Sequence, residues 1–220
     1  MKTFYILFAL LCANIFKSQF VKVEYDLVRN NTISTDKSFS KEFKDKILEN
    51  EKKPEKYMLY YGNGNSFFKS LPTPVIQHEN APVNVGGSIT TIVEISEKQP
   101  VRIYKLKGED KFYGYRIEDG REFYKKTQLK YGSINYKDET QKIDNFVCRL
   151  VEITNPSGSI TKVWYTEDLP ISAGPYAYGV FPGLVLKVET PTFVMYATKI
   201  SEDVDENDIE KMNPKFKVVE

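Results

Sequence analysis

What most limits how this chain can fold is a repeated rhythm: short β-branched and aromatic runs at a period of two, each cut off by glycine, asparagine or proline. Val21, Val23, Tyr25 and Leu27 alternate with Lys22, Glu24 and Asp26, the pattern of a strand with one face buried. Tyr57 to Tyr61 and Phe67 to Lys69 flank Gly62-Asn63-Gly64-Asn65, whose residues accept positive φ, so the pair reads as a hairpin. Further runs cover 89–95, 101–107, 112–117, 122–125, 146–154, 160–166, 184–189 and 193–200, with turns at Asp119-Gly120 and Asn155-Pro156-Ser157-Gly158. Strands joined by such short turns pair antiparallel, because parallel pairing needs a helix-length crossover at each step. Only one long helix is expected, with Phe39, Phe43 and Ile47 at four-residue spacing and a stop at Pro54. The sequence therefore predicts a mainly β fold: a curved antiparallel sheet or partly closed barrel with one N-terminal helix, the alternative being a two-sheet sandwich.

Residues 1–18 stand apart. Lys2 leads into an apolar run from Phe4 to Phe16, too short for a span of roughly 20 residues, and this reads as a signal peptide cleaved after Ser18. Cys12 does not read as a lipidation site, because Leu11 stands where a small residue is needed. Removing this segment takes away Lys2, Lys17 and Cys12 and no acid, turning the formal charge from +1 to −1. Residues 19–220 then form a single β-rich unit, expected in the periplasm or outside the cell, whose one remaining cysteine, Cys148, cannot close an intrachain disulfide. Such a balanced charge gives no reason to expect a nucleic-acid partner, and no later run is long enough for a transmembrane helix. Leu71 to Gly87, with Pro72, Pro74 and Pro82, reads as a long loop, and the acidic stretch Glu202 to Glu210 as a solvated turn or short helix.

Chemistry-bearing patterns are scarce. His78 is the only histidine, so sites that need several imidazoles cannot be assembled, and any triad would have to use it as base. Cys148 lies among Phe146, Val147 and Leu150 and reads as a buried structural thiol, since a nucleophile needs an accessible, cationic setting. No phosphate-binding glycine loop is present, and no cofactor is expected.

One segment breaks the strand rhythm. From Trp164-Tyr165 to Leu184 the chain gathers the only Trp, three tyrosines and Pro170, Gly174, Pro175, Tyr176, Tyr178, Pro182 and Gly183. Gly174 and Gly183 permit backbone conformations closed to other residues, and prolines fix φ and remove donors. A stiff, aromatic-lined excursion follows, either a plug for one end of the fold or a docking surface.

This segment resembles the signature of the GLPGLI family of Bacteroidota, through Trp164-Tyr165-Thr166, Leu169-Pro170, Gly174-Pro175-Tyr176 and Val180-Phe181-Pro182-Gly183-Leu184-Val185. Val180 and Phe181 replace the first signature Gly and Leu, leaving positive φ to be expected at Gly183 and not at Val180. Asp138 to Ile143 and Phe146-Val147-Cys148 are similar to a family segment upstream. The resemblance implies an exported, β-rich protein without established activity, working beside an outer-membrane TonB-dependent or carboxypeptidase-regulatory-like protein. The expectation is a non-catalytic binding or accessory protein. Alternatives are a carrier of a lipid-like ligand in a concave sheet and, further off, a hydrolase using His78.

Overall fold

A computed structural model describes residues 20–30, 53–72, 82–85, 88–91 and 99–220. The expected signal peptide with Cys12, the expected helix over 39–54 except its last two residues, and His78 all lie outside the described residues.

The strands are β1 (Val21–Arg29), β2 (Glu55–Gly62), β3 (Asn65–Ser70), β4 (Pro82–Val85), β5 (Ser88–Thr91), β6 (Arg102–Lys105) and β7 (Phe112–Glu118). They continue with β8 (Arg121–Thr127), β9 (Ser133–Ile143), β10 (Phe146–Thr154), β11 (Ile160–Thr166), β12 (Leu184–Glu189), β13 (Phe193–Ser201) and β14 (Lys217–Val219). Twelve of them make one open, curved sheet in the order β14-β8-β7-β6-β3-β2-β1-β13-β12-β11-β10-β9. All its neighbours are antiparallel except β14, which runs parallel to β8. The expected curved antiparallel sheet is therefore present, with two free edges in place of a closed barrel. The stretch expected as one long loop over 71–87 contains β4, which pairs with β5 as a separate two-stranded sheet.

Local chemistry explains the turns. The β2–β3 hairpin turns on Asn63 (φ 53°) and Gly64 (φ 86°), and β7–β8 on Asp119 (φ 50°) and Gly120 (φ 72°). Two successive positive-φ residues give a two-residue turn whose twist matches that of the strands it joins.

Adjacent residues in a strand point to opposite faces, and here both faces are packed. Phe68, Leu150 and Trp164 belong to one cluster with Val21, Val23, Tyr25, Leu27, Tyr57, Leu59 and Met195. Their strand neighbours go elsewhere: Val151 and Tyr165 to a second cluster with Val163, Phe181 and Val188, and Phe67 to a third with Tyr104, Tyr115 and Tyr124. Each Val, Leu or Phe wholly buried in these clusters contributes roughly 1.5–3 kcal/mol relative to exposure. The chain after β13 makes a capped 3-10 turn at Glu206–Asp208 and lays Ile209, Met212 and Phe216 against the third cluster.

Candidate functional site

Residues 167–183, between β11 and β12, form a strap over the sheet. Its course is set by backbone pairing. Leu184 N–H donates to Leu169 O (3.1 Å) and Val185 N–H to Ala173 O (2.9 Å), with tight internal bonds from Ile171 N–H to Leu169 O and Ala173 N–H to Ile171 O, each 2.8 Å. Leu169, Ile171 and Ala173 pack into the first cluster and Phe181 into the second, where Phe181 stacks on Tyr165 with ring centroids 5.9 Å apart. A bulge between Trp164 and Tyr165 shifts the register of β11 against β12. Close by, the buried Tyr25 hydroxyl donates to Val185 O at 2.6 Å.

The glycines act through closeness. A Cβ on Gly183 would lie 2.1 Å from Thr166 O, one on Gly174 2.8 Å from Val185 Cβ, and one on Gly179 2.8 Å from Gly174 N. The expected positive φ at Gly183 is not found; within the strap that conformation belongs to Tyr176, at φ 51°. Gly179 and Gly183 thus mark places where two backbones touch, and Gly174 one where the backbone meets the Val185 side chain, a constraint of space and not of φ.

The far end of the strap is held by side chains. Tyr176 packs against Phe68, Tyr57 and Phe193 with centroids 5.0, 5.9 and 6.1 Å away. Its hydroxyl donates to Tyr57 Oη at 3.2 Å, Tyr57 donates to Glu55 Oε2 at 2.9 Å, and Glu55 Oε1 meets Arg29 Nε at 2.9 Å. Burial, with Tyr176 and Glu55 beside it, holds the Tyr57 phenol well above its ordinary range. Lys105 Nζ donates to Ser172 O (3.1 Å) and Gly179 O (2.6 Å), and burial lowers its pKa. β6, which carries Lys105, lies five strand steps from β12, about 24 Å in a flat sheet. One lysine reaching the strap therefore measures both the curvature of the sheet and the width that the strap spans.

The structure places the other sequence-selected residues as follows. Trp164 is buried, and its Nε1 donates to Glu189 Oε1 at 2.9 Å. Pro175 and Leu184 are buried, Tyr178 is half-buried beside the second cluster, and Pro170 and Pro182 face solvent. Cys148 is buried as expected; burial first, then Asp168, pushes its thiol up to about 11. Among the described residues no group of three His, Cys, Asp or Glu side chains could hold a metal ion. Lys105 and the Arg29-Glu55-Tyr57 chain were not singled out, because alternation tells which face a strand residue takes and not what crosses over it.

Fold and site together define a class: an open twelve-stranded sheet covered by its own glycine-pinned strap. Residues 77–219 match the family model described as N-glycanase peptide, N-terminal domain, and the chain belongs to that family. Two solved structures of PNGF-II, in space groups C2 and P21, share the fold at TM-score 0.55, with 14% and 13% identity over 91% and 92% of this chain. The chain spans 31% of the length of each. No curated protein sequence matches. The family corrects one expectation: the missing catalytic patterns lead to a non-catalytic protein, not an enzyme, whereas the matching domain family is that of an N-glycanase. Single-sequence patterns find only catalysts built on recurrent spacings, and this family's affiliation is not written in one.

Proposed function

We propose that this chain is an exported, glycoprotein-engaging domain of an N-glycanase system, bringing N-linked glycans to the bond-cleaving step. The observation that carries this reading is the family match over 77–219, and the PNGF-II likeness in fold supports it. The apolar run at 4–16 supports the export half, since N-linked glycoproteins are met outside the cytoplasm. An envelope partner such as a TonB-dependent protein belongs to the same proposal. The strap argues against a carried lipid, because Leu169, Ile171, Ala173 and Phe181 occupy the apolar surface that such a ligand would need.

The test is retention of glycoprotein by the immobilised mature chain. Ribonuclease B, which carries one N-linked glycan, should be held, and its glycan-free twin ribonuclease A should pass through. Equal behaviour of the two would overturn the reading.

A further inference from the structure

Tyr136 on β9 is the one aromatic ring among the described residues that stands mainly in solvent, at 61% exposure. It pairs with Val151 on β10, while Arg149, on the same face of β10, pairs with Tyr165 on β11. Arg149 Nε lies 3.3 Å from Glu167 Oε2. Burial first, then the nearby Glu167 and Tyr136, raises the pKa of the Tyr165 phenol. An open ring, a guanidinium and a carboxylate thus share one margin of the sheet.

The edge beside them is not built to receive another strand. Between the pairs Arg149↔Thr140 and Val151↔Tyr136, three residues of β9, Lys137, Asp138 and Glu139, oppose the single Leu150. A bulge bearing charges breaks the ladder that an added strand would extend. The margin also has no basic excess, for Arg149 is matched by Glu167 and Lys137 by Glu152 at 3.0 Å, and Asp138 and Glu139 of the bulge add acids. A phosphate or an acidic peptide gains nothing from such a field. A pyranose has an apolar C–H face that lies flat on a ring, and a rim of hydroxyls that need both donors and acceptors, and it carries no charge.

We propose that the Tyr136 margin is a saccharide subsite, in which the Tyr136 ring carries the sugar face and Arg149 and Glu167 hold its hydroxyls. This goes beyond the proposed function, on which it rests for the source of the sugar, and of its residues only Glu167, the first of the strap, lies outside β9 and β10.

The experiment measures binding of ribonuclease B, ribonuclease A and N,N′-diacetylchitobiose to the mature chain, unaltered and with Tyr136→Ala, Tyr136→Trp, Arg149→Met or Glu167→Gln. Every variant is first checked for an unchanged melting temperature. Tyr136→Ala should weaken ribonuclease B binding at least tenfold, Tyr136→Trp should retain it, and the other two should each lose several-fold. Chitobiose should shift amide resonances of β9 to β11. Undiminished ribonuclease B binding in Tyr136→Ala, or chitobiose shifts confined to residues 168–183, overturns the subsite and leaves the glycoprotein reading intact. Ribonuclease A binding through Tyr136 as tightly as ribonuclease B identifies a protein-docking surface and overturns both. Chitobiose binding at Tyr136 without retention of ribonuclease B supports the subsite and removes the glycoprotein reading.

Discussion

At the scale of single residues, the fold depends on glycine for two separable physical reasons. Gly183 has no room: an added methyl would sit 2.1 Å from a carbonyl oxygen of β11, and a backbone atom held in a ladder cannot step aside. Gly120 has room, with nothing within 4 Å, but its φ is 72°. Gly183→Ala should therefore cost about 2–3 kcal/mol through overpacking, against about 1 kcal/mol of backbone strain for Gly120→Ala. Thermal melts of the two variants, followed by circular dichroism, check the order. If Gly120→Ala proves the more damaging, the close approach at Gly183 is not what fixes the strap.

At the scale of elements, Lys105 is the long-range fastening. Lys105→Met keeps the aliphatic stem but leaves Ser172 O, which water can reach, and Gly179 O, which is part-buried, without their donor, a loss of about 1–2 kcal/mol that falls mainly on Gly179 O. The backbone amides of Tyr178, Leu184 and Val185, whose hydrogen bonds run within or to the strap, should exchange with solvent faster, whereas those of β7 and β8 should not. Hydrogen exchange read by mass spectrometry separates the two regions, and uniform exchange across both would deny Lys105 a fastening role. The strands themselves were largely legible, because β1, β2, β7 and β10 to β13 are β-branched or aromatic runs set off by turn residues, and in β1 and β2 the buried positions largely alternate. β9 was not: nearly all of Ser133–Ile143 is exposed, and an edge strand with both faces wet carries no hydrophobic period. β14 is three exposed residues, placed by Phe216 packing beside it and not by its own composition. The site was legible only as a composition anomaly, since Gly, Pro and Tyr mark that the backbone does something unusual without saying what it touches.

At the scale of the whole molecule, burial of titratable groups sets a direction for pH. Burial raises the pKa of Tyr25, Tyr57 and Tyr104 above the ordinary 10.0, and that of Cys148 from 9.0 to about 11. Each of these groups holds its proton more tightly when folded, so stability is intact below the ordinary values and falls as pH rises through them towards the raised ones. Lys105, lowered by burial, works in the opposite sense. The melting temperature should stay level up to about pH 9 and then decline. The Cys148 thiol should label only as the fold is lost. A level profile to about pH 11 with early labelling would mean that these groups reach water in the folded state.

The central position of β1 has a kinetic consequence. On one side of it lie β2, β3, β6, β7, β8 and the C-terminal β14, on the other β13, β12, β11, β10 and β9, and apart from β14 each set is a run of sequence neighbours that can meander into place by itself. β1 alone bonds to both, and on the far side Lys22 finds Ser201 across almost the full length of the chain. Loop closure over such a distance is slow compared with hairpin formation. The two half-sheets are therefore expected to assemble early and independently. The late event is capture of the first strand between them, which cannot occur before β13 has emerged from the ribosome or from a translocation pore.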